Sequence, residues 1–424
     1  MSMKISRRAF LGAGAAFGAF NIAPASVFGA NAPSNRIVMG MIGVGGMGGG
    51  NMNAFLGFND VQVVAVCDVN KTKTNRAKAR VDKRYGNTDC REYRDFREVC
   101  ARDDIDAVMI ATPDHWHAYV GTFAASHGKD IYGEKPFTHD LLEGRALVRA
   151  VERSGRIWQT GSWQRSKGEM QHAVELVRNG HLGKIARVEV GLPSKHSVHS
   201  KSNPGAKVPE SLDWNFWLGP APWREYSGVC DWDWRWVSDW GGGQLMDWIG
   251  HHGDIAQWGL DCDRSGPVSF EGFGMYSNDT FFDTPISYSV ECTYANGVKM
   301  IVADHERVRG GTKWIGENGE WVWVNRGKWE ASSAALKNAR IEAGELRFKS
   351  PGHQREFIDS VKSRKTTLTP AEVAHRSASI GHLCQIAIKT HRKIKWDPAT
   401  ETIIGDAEAS RLLGRAPRGP WALA

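Results

Sequence analysis

The sequence predicts an α/β protein with two domains: an N-terminal, doubly wound parallel sheet and a C-terminal α+β domain with a large, mostly antiparallel open sheet. Three observations lead to this prediction. Residues 36–160 alternate apolar strands with helical stretches, which is the pattern of a parallel sheet covered by helices. The first strand runs directly into a glycine-rich turn. Beyond residue 166, strands with alternating apolar and polar residues become common.

The composition is typical of a soluble globular protein. A length of 424 residues fits two domains, and 41% of the residues are hydrophobic and 24% charged. The formal net charge is +7, but three basic residues belong to the predicted leader, so 51 basic residues remain against 47 acidic ones. This excess is too small and too scattered to indicate a nucleic-acid partner. The seven cysteines contain no Cys-x-x-Cys pair, so neither a zinc knuckle nor a disulfide framework is expected.

Residues 1–32 have the pattern of an export signal. Arg7 and Arg8 precede Phe10-Leu11 and a mildly apolar stretch rich in glycine and alanine. A basic head, a short apolar run and a small-residue exit are typical of a signal peptide, and the paired arginines indicate the twin-arginine (Tat) route. The apolar run is too short for a membrane span of about 20 residues. We therefore expect an exported, periplasmic protein, cleaved near residues 23–25 or 30–32.

The first predicted strand, residues 36–42, leads into a G-x-G-x-x-G turn, and a helical stretch follows through Phe58. Glycine is needed in such a turn because a side chain would keep the backbone away from a pyrophosphate at the helix N-terminus. This context predicts a dinucleotide-binding Rossmann fold over residues 33–165. The residues expected at the cofactor are Gly43, Gly45, Gly46, Met47 and Gly48.

A second apolar strand, Val61 to Cys67, ends in Asp68, which stands 20 residues after Gly48. At this spacing a carboxylate can bind the hydroxyl groups of a ribose. Because a carboxylate repels the 2′-phosphate of NADP, Asp68 favours NAD as the cofactor. Lys71 and Lys73 follow closely and can offset this preference, which leaves NADP open.

Two later strands of the alternating region end in polar turns. The strand Ile105 to Ala111 ends in Thr112-Pro113-Asp114-His115-Trp116-His117, and the strand Asp130 to Gly133 ends in Glu134-Lys135-Pro136. A last strand, Ile157 to Thr160, follows a further helix. The carboxyl ends of parallel strands meet at one edge of a sheet, so these turns are expected to converge on one crevice.

Residues 166–424 are predicted to form a substrate-binding and oligomerisation domain. Residues 286–294 alternate apolar and polar side chains with a period of two, which indicates a sheet with one buried face. Further strands are expected at 184–192, 298–303, 312–315 and 321–324. Asn318-Gly319 supplies a tight turn before the last of them.

The C-terminal helices, within residues 354–390, are expected to pack back towards the site. The second of them follows Thr369-Pro370-Ala371-Glu372. This tetrapeptide is predicted to be a capping box with proline at the first helical position.

Tryptophan is unusually common, and nine of the 18 lie between Trp214 and Trp258. An indole needs a partner for its N–H group when buried, and its face suits the C–H face of a sugar ring. These tryptophans therefore either contact carbohydrate or pack their loop onto the sheet. The segment around Trp234, which mixes rings with charges in Asp231-Trp232-Asp233-Trp234-Arg235-Trp236, is the better candidate for a carbohydrate surface.

These motifs together resemble the Gfo/Idh/MocA oxidoreductases. The resemblance rests on the glycine turn, on Thr112 to His117, on Glu134-Lys135-Pro136, on residues 241–252 and on Ala374 to Ala378. It implies a Rossmann domain that binds NAD or NADP, followed by an open α/β sheet through whose exposed face dimers or tetramers assemble. It also implies cofactor contacts at Thr112, Pro113, His117, Glu134 and Lys135.

Lys135 is the first candidate for proton transfer, because a desolvated lysine beside a positively charged nicotinamide can accept or relay a proton. Asp247 and His251 are four residues apart, so on a helix they share one face. The carboxylate would then hold the imidazole tautomer. The resemblance implies that this Asp-x-x-x-His pair binds substrate and transfers protons. We expect His251 to be the acid/base with Lys135 polarising the same hydroxyl, although the reverse assignment stays open.

Three further residues are candidates for substrate contacts. Gln164 and Arg165 can contact substrate hydroxyls or serve the structure, and His252 is expected at the substrate. A metal bound by Asp247, His251, His252 and Asp254 is disfavoured, because neighbouring helical residues point about 100° apart. No metal is therefore expected.

The sequence predicts an oxidoreductase for a sugar, sugar derivative or polyol. Outside the cytoplasm no pool of free NAD(H) exists, so the cofactor should be bound tightly and regenerated within the cycle. A redox-neutral, NAD-dependent glycoside hydrolase, which acts by transient oxidation and elimination, is the alternative. A non-catalytic sugar-binding protein is the third interpretation.

Overall fold

The computed structural model describes residues 35–194, 201–278 and 281–423. The predicted export signal, residues 1–32, lies outside the described residues. The described chain forms a six-stranded parallel sheet and a nine-stranded sheet, with helices against both. The predicted fold class, a Rossmann sheet followed by a largely antiparallel sheet, is confirmed.

The first sheet has the strand order β3-β2-β1-β4-β5-β6, and every pairing in it is parallel. This order places a topological switch between β1 and β4, where ligands bind in doubly wound sheets. The strands are β1 (Ile37–Ile42), β2 (Val61–Cys67), β3 (Arg91–Tyr93), β4 (Ala107–Ile110), β5 (Asp130–Gly133) and β6 (Trp158–Thr160).

Helices cover both faces of this sheet because its strands are buried on both sides. Met39 and Val63 from the strands pack with Phe55 on one face, whereas Ile110 and Ile131 belong to the other core. The helices are α1 (Gly46–Leu56), α2 (Lys71–Tyr85), α3 (Phe96–Cys100), α4 (Asp114–Ser126) and α5 (Leu141–Ser154).

Two glycines of the turn after β1 permit a close approach between backbone segments. Gly43 has a φ of +78°, and a Cβ atom there would lie 2.6 Å from the carbonyl of Ala111. A Cβ atom on Gly48 would lie only 1.8 Å from the carbonyl oxygen of Gly43. The turn can therefore bring α1 tightly against β1 and β4 only with glycine at these two positions.

The second sheet has the order β13-β12-β11-β7-β10-β9-β8-β14-β15. Among the described strands of this second sheet, only β7 and β10 pair in parallel. The strands are β7 (Ile185–Leu192), β8 (Ser269–Met275), β9 (Ser287–Thr293), β10 (Lys299–Asp304), β11 (Gly311–Gly316), β12 (Trp321–Asn325), β13 (Lys328–Ala331), β14 (Ile394–Asp397) and β15 (Thr402–Ile403).

Along β9 the predicted alternation holds, since Tyr288, Val290 and Cys292 are fully buried. Eight helices of this half of the chain are described: the one over residues 371–390 packs on that face, where Cys384 contacts Cys292, whereas Phe357 and Ile358 of residues 353–363 belong to the core of the first sheet. The eight helices are α6 (Gly168–Arg178), α7 (Trp214–Leu218), α8 (Gly243–Trp248), α9 (Asp254–Gly259), α10 (Ala334–Asn338), α11 (His353–Ser363), α12 (Ala371–Thr390) and α13 (Ala407–Ser410).

The capping box predicted at the start of α12 is wrong. The hydroxyl of Thr369 donates to the carbonyl of Thr160 at the end of β6. The carboxylate of Glu372 accepts hydrogen bonds from Arg145 and Arg376 instead of reaching back to the helix end. Tertiary partners therefore take both side chains, and α12 begins after Pro370 without a side-chain cap.

Several tryptophans pack against one another in a loop before α8. We call residues 212–240 the Trp-rich segment. Within it Trp214, Trp217, Trp236 and Trp240 are buried in a core of their own, and the first two rings stack 4.8 Å apart. His115 of α4 anchors this segment, because its two ring nitrogens lie within hydrogen-bonding distance of the carbonyls of Trp217 and Trp240. For these four residues, packing of the loop is the correct interpretation.

We expect opposite effects from two alanine substitutions in α1. Gly48→Ala should destabilise the protein by at least about 2 kcal/mol, because the new methyl group meets backbone that no rotamer change can move. Gly50→Ala adds a methyl group with nothing within 4 Å and should stabilise by about 0.5–1 kcal/mol. Denaturant-induced unfolding measures both. Equal effects of the two substitutions would contradict the described contact.

Candidate functional site

The carboxyl ends of β1, β2, β4 and β5 open into a cavity of about 550 Å³. The glycine turn and the loops after these strands form one wall. The Trp-rich segment and helix α8 with the turn after it form the other wall. The residues predicted from separate strand ends therefore share one cavity, as expected for a doubly wound sheet.

The strand-end wall has the shape and chemistry that a dinucleotide requires. Gly43, Gly45, Gly46 and Met47 line it, and a Cβ atom on Gly46 would meet nothing within 4 Å. Asp68 lines the same wall; its carboxylate accepts hydrogen bonds from the backbone N–H groups of Val44 (3.1 Å) and Asn70 (2.9 Å). An open backbone cradle beside an anchored carboxylate fits a pyrophosphate and a ribose.

The surroundings of Asp68 bear on the choice between NAD and NADP. Burial raises the pKa of Asp68, and Lys73 opposes this effect. Lys73 also lines the cavity, but its ammonium group forms an ion pair with Asp231 at 2.5 Å. This pairing reduces the attraction of Lys73 for a 2′-phosphate. Lys71 is exposed and is not among the residues that line the cavity. The arrangement favours NAD.

Of the other residues predicted at the cofactor, Thr112, Pro113 and Glu134 line the cavity, whereas Gly48 and His117 do not. Gly48 contacts the turn itself, as described above. His117 is buried, and its ring nitrogens lie 2.7 Å from the carbonyl of Pro136 and 2.9 Å from that of Thr112. His117 therefore braces the loops after β4 and β5 against each other, which corrects its expected place at the cofactor.

Glu134 links helix α1, which follows the glycine turn, to the loop after β5 through hydrogen bonds. Its Oε1 atom accepts a hydrogen bond from the amide of Asn51 in α1 (2.8 Å), and its Oε2 atom accepts one from the backbone N–H of Lys135 (3.3 Å). Burial raises the pKa of Glu134, although the charge of Lys135 and these hydrogen bonds oppose the effect. Glu134 thus orients the backbone that carries Lys135.

The centre of the cavity holds an ion pair between the two halves of the chain. The ammonium of Lys135 donates to the Oδ1 atom of Asp247 (2.7 Å) and to its backbone carbonyl (2.9 Å). The Nε atom of Arg235 lies 3.3 Å from the same Oδ1 atom. Burial alone would raise the pKa of Asp247, but the two cations outweigh it and lower the pKa. Asp247 is therefore a stable anion that holds Lys135.

His251 lines the same cavity as a buried, neutral imidazole. Its pKa lies well below the usual range because the ring is buried, and the charges of Lys135 and Arg326 add to the effect. Its Nδ1 atom has no hydrogen-bond partner in the described part of the chain. A neutral imidazole with a free nitrogen can form a hydrogen bond with a bound ligand, while its lowered pKa makes it a weak base.

The predicted orientation of His251 by Asp247 is wrong. Helix α8 ends at Trp248, and residues Ile249–Gly253 form a π-helical turn. The carboxylate of Asp247 contacts Lys135 and Arg235, and no hydrogen bond to His251 is present. The rings of Trp163 and Trp248, with centroids 5.9 and 5.5 Å from that of His251, flank the imidazole instead.

Three residues predicted at the substrate lie elsewhere. Arg165 is fully buried, and its guanidinium binds the carboxylates of Asp254 (2.7 Å) and Asp263 (2.8 Å). Gln164 is also buried and does not line the cavity. His252 stacks on Trp248 and lines a second cavity. Arg165 therefore has the structural role that the sequence left open. The fourth predicted residue, Trp234, does line the main cavity.

The four residues of the metal alternative do not converge. Asp247 binds Lys135, Asp254 binds Arg165, and His251 and His252 line different cavities. Elsewhere in the described residues, the ligand atoms of His139, Asp140 and Glu143 lie within 4.8 Å of one another. That no metal takes part stays a prediction.

Three charged residues of the cavity were not predicted as site residues from the sequence. Asp114 is buried at the start of α4, and burial raises its pKa to about 8. The guanidinium of Arg235 lies between the rings of Trp232 (4.2 Å) and Trp234 (4.4 Å). Arg326, after β12, covers Trp248 at 4.3 Å. Asp114 and Arg235 lie in two motifs described from the sequence, residues 112–117 and 231–236. No sequence pattern around Arg326 indicates a functional site.

Comparisons with known proteins give the family. Residues 37–162 match the model described as "Oxidoreductase family, NAD-binding Rossmann fold", and residues 168–423 match "Oxidoreductase family, C-terminal alpha/beta domain". The chain belongs to the Gfo/Idh/MocA oxidoreductase family. Its first domain is an NAD-binding Rossmann domain, and NAD is the cofactor of this fold in related structures.

Curated relatives of this Gfo/Idh/MocA protein include glycosyl hydrolase family 109 proteins. One from Shewanella putrefaciens is 30% identical over 172 residues, which are 39% of this chain and 37% of the relative. One from Streptomyces niveus is 33% identical over 153 residues, 35% of this chain and 30% of the relative. The matched region therefore spans about a third of the length of these relatives.

Solved structures match over a greater length at low identity. The aldose-aldose oxidoreductase from Caulobacter crescentus, complexed with glycerol, has a TM-score of 0.62 at 16% identity and covers 85% of this chain and 99% of its own. The WlbA dehydrogenase from Bordetella pertussis, in complex with NADH and UDP-GlcNAcA, has a TM-score of 0.61 at 18% identity, with coverages of 85% and 99%. These similarities show the fold.

None of the helices in the described ranges is long and apolar enough to cross a membrane.

We expect Asp68→Ala to raise the Kd for NAD about 10- to 100-fold, because a charged acceptor of hydrogen bonds from the ribose is lost. The affinity for NADP should fall less or rise. Fluorescence titration with both nucleotides measures these affinities. Asp89→Ala, in an exposed loop, is the control and should bind NAD normally; an equal loss in both variants would contradict the role of Asp68.

The raised pKa of Asp114 predicts a pH-dependent stability. In the folded protein Asp114 keeps its proton up to a pH of about 8, whereas the unfolded chain loses it near 3.8. Its burial therefore destabilises the folded state progressively as the pH rises from about 4 to about 8. Asp114→Asn should become more stable than the parent over this window, by roughly 2–5 kcal/mol in total.

Unfolding of both proteins at several pH values tests this prediction. Above a pH of about 8 the difference in free energy should stay constant. Asp89→Asn is the matched control, and its effect should be independent of pH. A constant difference between Asp114→Asn and the parent from pH 4 to pH 8 would show that Asp114 is ionised in the folded state.

Proposed function

We propose that the protein is an exported oxidoreductase that uses tightly bound NAD(H) to oxidise or reduce a CH–OH carbon of a sugar, sugar derivative or polyol. One observation carries this proposal: the Lys135–Asp247 ion pair and the neutral His251 line the same cavity as the dinucleotide cradle. The family and the NAD-binding domain support the reaction class.

The residues of the cavity supply proton transfer and orientation. NAD, when bound, supplies the hydride acceptor or donor. Lys135 uses two of its three N–H groups on Asp247, so the third can donate to a substrate hydroxyl and stabilise developing negative charge on its oxygen. His251 has a ring nitrogen without a partner among the described residues that can accept the hydroxyl proton, and its lowered pKa favours passing that proton on over holding it.

The remaining wall suits a sugar ring. Trp163, Trp234 and Trp248 line the cavity beside the polar centre. Indole faces pack against the C–H faces of a sugar, while the ionic groups bind its hydroxyls. Asp247 positions Lys135, and Arg235 fixes Asp247 in turn.

Export and tight cofactor binding belong to the same proposal. The arginine pair at residues 7 and 8, followed by Phe10-Leu11, supports a Tat leader. This route carries folded proteins, which suits a protein that binds its cofactor before export. A tightly bound cofactor must then be restored by a second substrate or within the same reaction. Assembly into a homo-oligomer stays a prediction.

A second candidate is a redox-neutral glycoside hydrolase. The relatives named glycosyl hydrolase family 109 proteins favour it, and so does Asp114, whose pKa of about 8 keeps a carboxylic acid protonated in the cavity. In this reaction, transient oxidation of one sugar carbon acidifies the neighbouring C–H bond. A base of the cavity removes this C–H proton while the glycosidic oxygen leaves with a proton from Asp114; water then adds across the double bond, and the hydride returns to the oxidised carbon.

One experiment separates these functions from simple sugar binding. The protein is purified without added nucleotide, its absorption spectrum is recorded, and a panel of sugars and aryl glycosides is added in deuterated buffer. A persistent NADH band supports the oxidoreductase. Release of the aglycone with deuterium beside the oxidised carbon and no net NADH supports the hydrolase. Absence of any spectral change and product would overturn both and leave a binding protein.

Lys135→Ala should keep the cofactor yet lose turnover by about two to three orders of magnitude, because removal of one donor to a developing oxyanion costs about 10²–10³-fold. Lys71→Ala removes an exposed lysine outside the cavity lining and should leave turnover unchanged. Absorbance of the bound cofactor and the rate with the best substrate are measured for both. Near-normal turnover of Lys135→Ala would remove Lys135 from the mechanism.

A further inference from the structure

A second cavity, of about 460 Å³, adjoins the main one. The two cavities share Trp248, whose side chain lines both. The second cavity lies against the loop after β10 and the hairpin of β12 and β13. Its described lining contains no acidic residue, but it contains four basic or imidazole side chains: His252, His305, Arg309 and Lys328.

A further cation, Arg326, lines the main cavity beside the shared Trp248. Arg326 occupies the turn between β12 and β13, and its guanidinium lies 4.3 Å from the ring centroid of Trp248 and 4.9 Å from that of Trp163. Unlike Lys135 and Arg235, it forms no ion pair with the described residues. Burial lowers the pKa of Arg326, and only the more distant Asp247 opposes this. The two indoles hold this guanidinium in place, and no carboxylate of the described residues pairs with it.

The charges at the far end of the second cavity are only partly balanced. Arg309 pairs with Glu330 through two hydrogen bonds of 2.7 Å and lies on the ring of Trp323. Lys328 extends over the same ring at 5.3 Å. One carboxylate therefore faces two cations here, and with Arg326 the positive surplus is about two charges.

His252 adds a polar group at the bottom of the cavity. It is 2% exposed, and its Nδ1 atom has no hydrogen-bond partner among the described residues. Burial lowers its pKa to about 3, so the ring is neutral. A neutral imidazole donates one N–H hydrogen bond without adding charge. The cavity thus offers unsatisfied cations and a hydrogen-bonding group that suit an anion.

We propose that the second cavity is a subsite for an anionic group, a carboxylate or a sulfate ester, on the sugar unit next to the one that reacts. This inference rests on the proposed function and names its substrate class: an acidic oligosaccharide or glycoside. The reacting unit lies at Lys135 and His251. The neighbouring unit stacks on Trp248, and its anionic group binds Arg326, Lys328 and His252.

The test uses three disaccharides that share the reacting unit and differ at C6 of the neighbouring unit, which carries a hydroxymethyl group, a carboxylate or a sulfate ester. Calorimetry on the full, cofactor-containing protein measures affinity, and turnover gives KM. We expect the two anionic sugars to bind about 10- to 100-fold more tightly than the neutral one, as for a charge-assisted hydrogen bond. A preference between them identifies the natural anion.

Variants assign this preference to the second cavity. Arg326→Gln should reduce the preference for anions to within about threefold, and Arg326→Lys should retain part of it because the charge stays but the planar stacking is lost. Lys328→Gln should weaken it less. Arg149→Gln, an exposed residue on α5, is the control and should change nothing. Because Arg326 also lines the main cavity, the preference is measured as the ratio of the KM values of the neutral and anionic sugars, which removes any effect common to both.

The outcomes separate this inference from the proposed function. Equal binding of neutral and anionic sugars by the parent protein, or an equal loss of both in Arg326→Gln, would overturn the subsite while turnover persists. Tight binding of the anionic sugars without turnover would support the subsite and reject the proposed function. Failure of all three sugars to bind would overturn both.

Discussion

The ion pair between Lys135 and Asp247 connects the two halves of the protein at the point where they meet. Lys135 follows the last residue of β5, and Asp247 lies near the end of a helix that packs on the second sheet. Both side chains are largely removed from water, so their pairing must offset a desolvation cost of several kcal/mol per ion. Two hydrogen bonds to Lys135 and the second cation, Arg235, provide this compensation.

The charge states of Asp247 and His251 restrict what the cavity can bind. Asp247 is an anion that holds the ammonium of Lys135. His251 is a neutral imidazole whose Nδ1 atom has no partner among the described residues. In water an imidazole would be protonated below a pH of about 6.5, so the neutral state of His251 depends on its burial, whereas the anionic state of Asp247 depends on Lys135 and Arg235. The chemistry of the cavity is thus a consequence of how the two domains close on it.

The tryptophans divide into two groups by what surrounds them. Those such as Trp236 and Trp240 fill a core that has few aliphatic side chains. Others, including Trp232 and Trp248, hold guanidinium groups in fixed positions through cation–π contacts. An arginine held on a ring loses less conformational entropy on binding a ligand. The indoles therefore orient charges as well as offering surfaces to a sugar.

The sequence by itself determined the Rossmann fold, the dinucleotide turn, Asp68 and Lys135, because each depends on a short segment whose backbone geometry is local. The glycine at position 43 and the acid directly after β2 indicate a dinucleotide site whatever the position of the rest of the chain. Only the tertiary structure decided the partners of polar side chains. Thr369 and Glu372 bind distant residues instead of capping α12, His117 braces two loops, and Arg165 neutralises Asp254 and Asp263. Long polar side chains choose partners by distance in space, and residues as remote as Arg326 and Trp163 meet only after both sheets have formed.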